Sequence, residues 1–295
     1  MVLCLQTGEI LAARSFFSGR SSMPINLLYH DLTAAGHDDA SGFPGPGAAR
    51  YKLTPEEFER HLERIASVTR QPPLMTTSPD VLSGTDLNAW AMTFDDGGSS
   101  AITEIAEQLE RRRWRGWFFV ATDFIGKPSF CTREQVRELH DRGHIIGSHS
   151  SSHPERISRC SWDQLVDEWT RSCSVLAEII EQPVTTASVP GGFYSRTVAR
   201  AASHAGIKVL FNSEPTVSLT RVGETLILGR YNIYRGMSDA DAASLVNSPL
   251  RRLRQAAFWN VKKFAKILVG PLYKIVRQRV LTRKYSDVQS SRGDD

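Results

Sequence analysis

Seven short apolar runs recur along this chain, and helical patterns separate them. The runs are INLLY (25–29), AWAMTF (89–94), GWFFVA (116–121), HIIGSH (144–149), TTASV (185–189), KVLFN (208–212) and TLILGRY (225–231). Most are apolar along their length rather than alternating, the pattern of strands covered on both faces. Helical patterns occupy 54–69, 100–112, 132–142, 161–181 and 194–205. The first opens on TPEEF: Thr54 can cap, Pro55 suits the first helical position, and Glu57 completes a capping box. Strands joined through helices run parallel. Seven of them suit a closed (β/α) barrel better than an open sheet. Two segments rich in Gly, Pro, Ser or Asp, 33–51 and 70–86, read as irregular loops inside one domain, because the first strand needs partners from the rest of the chain.

A chain of 295 residues with 41% hydrophobic and 23% charged side chains is of the soluble globular class. Its four cysteines, Cys4, Cys131, Cys160 and Cys173, form no C-x-x-C pair. They do not suggest a disulfide framework, so reduced thiols in the cytoplasm are expected. The first 22 residues lack the basic start of a signal peptide, and Glu9 interrupts their apolar stretch. Met23 stands just before the first strand, so residues 1–22 are expected to be a disordered extension. No uninterrupted apolar run is long enough to span a membrane. The expected organisation is a barrel over 23–249, a basic amphipathic helical tail over 250–285 and a disordered end over 286–295.

The charge is unevenly spread. Of 36 Lys and Arg, eleven lie in 251–284, which holds none of the 32 acids; the rest of the chain therefore carries 25 bases against 32 acids, a net −7. Within that tail Leu253, Ala257, Val261, Phe264, Leu268, Leu272 and Ile275 recur at helical spacing, and Gly270 with Pro271 should interrupt the helix. Either this stripe packs on the barrel with its charges solvated, or it lies on an anionic membrane surface, which would place the protein peripherally at the inner face of a membrane. Nucleic acid is not expected as a partner, because no recognition module accompanies the charge.

Parallel α/β folds gather their chemistry at the C-terminal ends of strands. Several reactive residues satisfy that filter. His30 and Asp31 end the first run, Asp95 and Asp96 the second, His149 and His153 follow the fourth, Pro190, Gly191 and Gly192 the fifth, and Arg230 ends the seventh. Adjacent carboxylates repel unless a cation or a proton intervenes. In GSHSSSHP (147–154) the two histidines stand four apart, a spacing that puts both rings on one face of a helical turn. Two imidazoles and one carboxylate make a three-ligand site with open positions for water and substrate. The ion would offset the repulsion between the acids, one binding it and the other left as a base. The plainer readings are a DDG turn and two surface or capping histidines. SVPGGFYS (188–195) can present backbone N–H groups to a developing oxyanion, or be a tight turn into a helix.

Taken together, LLYHDL (27–32), MTFDDGG (92–98), GHIIGSHSSSHP (143–154) and VPGG (189–192) resemble the polysaccharide deacetylases of the nodulation-deacetylase-like carbohydrate esterases. The resemblance covers roughly residues 25 to 232. It implies a seven-stranded (β/α) barrel and metal-dependent hydrolysis of N-acetyl groups on a polysaccharide or oligosaccharide, in polysaccharide biosynthesis or modification. It makes Asp95 the general base and Asp96, His149 and His153 the ligands of a divalent ion, usually zinc, with Ser150 steadying the loop. It also makes the turn at Pro190, Gly191 and Gly192, with Tyr194, part of the substrate site, and Glu214 is a further candidate there. The chain departs from the family at two points. Ser188 stands where the family commonly carries an arginine; Arg230 is placed to replace it, since the first and last strands of a barrel are neighbours. The family's late histidine is not visible, and only His204 follows residue 153. His30 is the candidate acid in its place. These departures leave two other readings open: an impaired barrel serving as a membrane-associated scaffold, and a metal amidohydrolase acting on a non-sugar amide.

Overall fold

The computed structural model describes residues 24–84 and 88–261. The expectations for residues 1–22 and 286–295, and most of the tail, lie outside the described residues. The apolar runs form strands. β1 (Ile25–Tyr29), β2 (Trp90–Phe94) and β3 (Trp117–Val120) are buried at every position. β4 (Ile145–Ser148), β5 (Thr186–Ser188) and β6 (Val209–Phe211) follow. β7 (Thr220–Val222), β8 (Thr225–Leu228) and β9 (Tyr231–Asn232) complete one sheet in the order β7-β8-β6-β5-β4-β3-β2-β1-β9. Every pairing is parallel except β7 with β8.

The sheet curls, and one stretch of chain meets both of its sides. β8 pairs with β6 at Leu226↔Val209, and β9 pairs with β1 at Tyr231↔Leu27. Only Gly229 and Arg230 separate the two strands. The seventh expected strand is therefore split, and β7 is an antiparallel addition that the apolar pattern did not signal. The strand count is nine among the described residues, not the seven expected. The break needs a glycine: a Cβ at Gly229 would lie 2.4 Å from the Glu214 carbonyl oxygen. Asn26 Nδ2 donates to the Gly229 carbonyl at 2.9 Å, tying the break to β1.

Alternation along the strands separates two apolar layers. Trp117, Phe119, Val209, Phe211, Leu226 and Leu228 fill the inside of the curl. Phe118, Val120, Leu27 and Tyr29 face the helices. α1 (Pro55–Val68) has the expected capping box, with the Glu57 N–H donating to Thr54 Oγ1 at 3.2 Å and the Thr54 N–H to Glu57 Oε2 at 2.8 Å. Its Phe58, Leu62 and Ile65 are fully buried, each contributing about 1.5–3 kcal/mol by leaving water. The next helix starts as a π-helical turn (Ala101–Ile105) and continues as α2 (Ala106–Glu110). α3 (Arg133–Asp141), α4 (Trp162–Ile180) and α5 (Arg196–His204) follow as expected, and α6 (Asp239–Asn247) packs on α1. Residues 249–261 are helical.

Candidate active site

β2 ends at Phe94, and the chain turns sharply through Asp96 at φ +80° and Gly97 at φ +82°. Both lie in the left-handed region, which Asp and Gly enter more readily than other residues. The turn sends the two neighbouring carboxylates to different partners.

Asp95 is buried beside Arg230, itself fully buried. The guanidinium forks onto the carboxylate, with Nη1 to Oδ1 at 2.7 Å and Nη2 to Oδ2 at 2.8 Å. Its Nε donates to the Asn212 carbonyl at 2.9 Å, and its plane lies near the rings of Phe119 and Phe211. Ser188 Oγ donates to Asp95 Oδ1 at 2.9 Å. Burial alone would raise the Asp95 pKa; the Arg230 charge outweighs it and holds the carboxyl below its ordinary range. The break between β8 and β9 thus delivers the arginine that the fifth strand lacks.

Asp96 faces two histidines. Its Oδ1 lies 3.4 Å from His149 Nε2 and 3.7 Å from His153 Nε2. One donor atom from each of the three residues falls within 4.8 Å of the others. Burial opposes ionisation of Asp96, yet the hydrogen bond to His149 and the nearby His30 and His153 hold its carboxyl well below the usual range. The His153 pKa is pushed down to about 4, by burial first and by His149 second. Low pKa values leave a bare carboxylate and a neutral imidazole, the forms that bind a cation. The donor set, two imidazoles and one carboxylate beside a second acid, fits a divalent metal ion.

The two histidines do not share a helical face. They come together on a loop in which Ser150 (φ +62°) and His153 (φ +50°) are both left-handed. Hydroxyls and one acid hold that loop. Ser148 Oγ accepts from the Ser150 N–H at 3.1 Å, and Ser150 Oγ from the His153 N–H at 3.2 Å. Glu168 of α4 accepts from the N–H groups of Ser151 and Ser152, both at 2.9 Å. Sequence reasoning missed Glu168. Its signal is a carboxylate on the buried stripe Leu165, Glu168, Trp169, Ser172, where an acid needs a partner.

His30 stands at the end of β1 on the same rim. Its ring packs on Tyr51 with centroids 4.9 Å apart, and its Nδ1 is buried without a hydrogen-bond partner. Burial lowers its pKa, against the opposing pull of Asp96 and Asp95. The loop after β1 also packs Phe43 on the His153 ring at 4.5 Å. Buried Lys52 holds this loop by donating to the carbonyls of Asp38 and Phe43, both at 2.6 Å. Phe43, Tyr51 and Lys52 were not anticipated, because an irregular loop has no period to read.

Pro190–Gly192 form a 3₁₀ turn directly after β5, with Gly191 (φ +59°) and Gly192 (φ +68°) left-handed. Tyr194 is half-buried; burial first, and then the charge of Glu214, raises its pKa. Glu214 meets Arg230 through the backbone, its carbonyl accepting the Arg230 N–H at 3.0 Å. The arginine's side chain is committed to Asp95.

Residues 83–210 match the family model described as polysaccharide deacetylase. A Bacillus subtilis protein provisionally named as a polysaccharide deacetylase is 26% identical over 234 residues, 77% of this chain and 77% of that protein. The peptidoglycan-N-acetylmuramic acid deacetylase of Bacillus subtilis is 26% identical over 181 residues, 56% of this chain and 65% of its own length. Among solved structures, a Streptococcus pyogenes deacetylase in complex with acetate is 20% identical, with a TM-score of 0.62 over 74% of this chain and 95% of that one. At that identity the likeness speaks for the fold.

Proposed function

Because residues 83–210 match the polysaccharide deacetylase family model and two relatives named as deacetylases are 26% identical, we propose that the chain is a polysaccharide deacetylase that removes N-acetyl groups from a polysaccharide or oligosaccharide, in its biosynthesis or modification, by metal-dependent hydrolysis. One observation carries the reading: a three-donor set, Asp96, His149 and His153, sits beside a second aspartate locked by a buried arginine. We read the curled sheet as the family's barrel, with 225–231 as its seventh strand.

A divalent ion, zinc being the best match to the donors, would supply Lewis acidity toward the acetamide carbonyl and a water of lowered pKa. Asp95 takes the proton of the attacking water. Arg230 keeps it ionised until then and fixes its plane. The backbone N–H of Gly191 faces the developing oxyanion, while Tyr194 and Glu214 border the sugar. His30, on the same rim as Asp95 and Asp96, is the group assigned to protonate the departing amine. Acetate and a free amino sugar result. The intact donor set and the Asp95–Arg230 pair speak against an impaired scaffold. The test is acetate release from N-acetylated and O-acetylated glycans and from simple non-sugar acetamides, with and without chelator. Release from N-acetyl glycans that chelator abolishes is expected. No release from any substrate at full zinc occupancy would sink the reading, and release only from non-sugar amides would move it to the amidohydrolase alternative.

The tail favours an anionic membrane surface as a second partner. In the helix at 249–261, Gln255 Nε2 donates to the Asn232 carbonyl at 2.8 Å, and Arg252 Nη1 to the Leu245 carbonyl at 2.8 Å, so that face meets the barrel. Leu250, Leu253 and Val261 are 59%, 65% and 67% exposed. The apolar stripe therefore points outward where it is described, in a segment with eleven bases and no acid. A headgroup boundary accommodates both features. No described helix is long and apolar enough to cross a membrane. Cys131, Cys160 and Cys173 are unpaired, which supports a cytoplasmic setting at the inner face. Leu253→Ser with Val261→Ser should lower co-sedimentation with phosphatidylglycerol vesicles at least about tenfold. Undiminished binding would mean that charge alone is responsible.

A further inference from the structure

Ser188 occupies a place where a residue must serve two neighbours at once. We propose that its hydroxyl is a positioning group that joins the ligand His149 to the base Asp95 through one directed proton, and so selects the oxygen of Asp95 that reacts. The proposal rests on the hydrolase reading above.

The direction of the link follows from the donors available. His149 Nδ1 lies 3.2 Å from the backbone carbonyl of Ser188 and 2.5 Å from its hydroxyl. A carbonyl can only accept, so Nδ1 carries the proton. The hydroxyl then accepts from Nδ1 and keeps its single proton for Asp95 Oδ1, 2.9 Å away. The chain runs one way, from imidazole through hydroxyl to carboxylate.

Two consequences meet at the reaction centre. With Nδ1 committed to Ser188, Nε2 is the ring nitrogen that faces Asp96 Oδ1, at 3.4 Å, where a cation would meet both atoms. Asp95 is also left asymmetric. Its Oδ1 accepts from Arg230 Nη1 and from Ser188, whereas Oδ2 accepts only from Arg230 Nη2. Oδ2 is also the oxygen lying 3.9 Å from His149 Nε2. The free lone pair is therefore on Oδ2, on the side of the ligands. An arginine at 188 would bring charge to Asp95 but could not accept from His149. A hydroxyl does both, and it can stand there because Arg230 supplies the charge from the other side. Linked hydrogen bonds of this kind polarise one another, so charge withdrawn from His149 strengthens the hold on Asp95.

The test compares full-length wild type, Ser188→Ala and Ser188→Thr. With zinc saturating, kcat of Ser188→Ala should fall about 10- to 100-fold, the weight of a hydrogen bond to a charged group. KM should stay unchanged, and Ser188→Thr should recover most of the loss. A second readout needs neither substrate nor ion: in chelator-treated protein, the His149 Nδ1 proton resonance should be far downfield in wild type and move upfield in Ser188→Ala. An unchanged resonance, or wild-type kcat in Ser188→Ala, overturns the proposal. So does a loss of kcat that threonine does not restore and that tracks a lower melting temperature, which would assign Ser188 to packing. A wild type that releases no acetate would instead overturn the hydrolase reading, and the resonance would still judge the link.

Discussion

Two strand ends on one rim hold equally buried carboxylates whose pKa values are shifted in opposite directions. At the end of β1, Asp31 Oδ1 accepts from Ser41 Oγ at 2.7 Å and Ser100 Oγ at 2.9 Å, while its Oδ2 has no partner. At the end of β2, Asp95 accepts a forked arginine. Burial pushes the Asp31 pKa up to about 6, with the charge of Asp96 adding to it. Burial acts the same way on Asp95, but Arg230 overrides it. At matched depth the charge of the partner decides the direction of the shift. Hydroxyls suffice to seat Asp31 as a clamp for the loop after β1. Its packing shows the same purpose: a Cβ at Gly42 or Gly98 would meet the carboxylate at 1.9 or 2.0 Å.

Substitutions at these acids sharpen the contrast. The largest effect is expected from Asp96→Asn, which removes the only carboxylate of the donor set: zinc binding and measurable acetate release should vanish together by calorimetry and turnover. Activity in zinc-free Asp96→Asn protein would break the metal half of the reading. Asp95→Asn should retain zinc and lose about 10²–10⁴-fold in kcat, the usual weight of a positioned base. If activity instead follows zinc occupancy alone, Asp95 is a ligand.

Arg230→Ala leaves a carboxylate buried without its cation, and should destabilise the protein by about 3–5 kcal/mol in urea unfolding. A near-neutral result would mean that Asp95 simply protonates, and the contrast with Asp31 would collapse. The smallest effect is expected at Asp31, and it has the opposite sign. Its folded pKa is raised above the ordinary value of 3.8, so the folded state holds the extra proton between about pH 4 and 6. The stability that Asp31 contributes is therefore complete below that window and lost as pH rises through it. Asp95 works the other way, its contribution fading as pH falls below its ordinary value. Asp31→Asn, in chelator-treated protein, should remove the decline and leave the variant more stable than wild type at neutral pH, by on the order of 2–3 kcal/mol. A wild-type pH profile in Asp31→Asn would show that Asp31 stays ionised.

Much of this rim was legible in advance because its signals are local. Apolar runs, the Thr54–Glu57 capping box and the paired acids at a strand end each lie within a few residues of chain. Arg230 could be anticipated as well, since its strand closes toward the first. The HSSSH spacing was legible for the wrong reason. A helical face would bring His149 and His153 together, but two left-handed residues and the carboxylate of Glu168 do so instead. Glu168, Phe43, Tyr51 and Lys52 were missed because each acts across a distance in sequence that no period records.

The amino-acid sequence by itself determined the alternation of buried strands and helices, the strand-end rim, and the identity of the three residues whose donor atoms come together, Asp96, His149 and His153, with an adjacent acid. These follow from propensity, period and side-chain chemistry, which are properties of short segments. Tertiary structure alone decided that Arg230 meets Asp95 as a buried fork, that Asp31 has hydroxyl partners in place of such a cation, and that Ser188 bonds both His149 and Asp95. Those outcomes depend on ångström distances between β1, β2, β5 and the break after β8, set by how the sheet curls and by what a glycine at 229 allows. Burial makes such distances decisive, because away from water a charge is governed by the few groups that touch it.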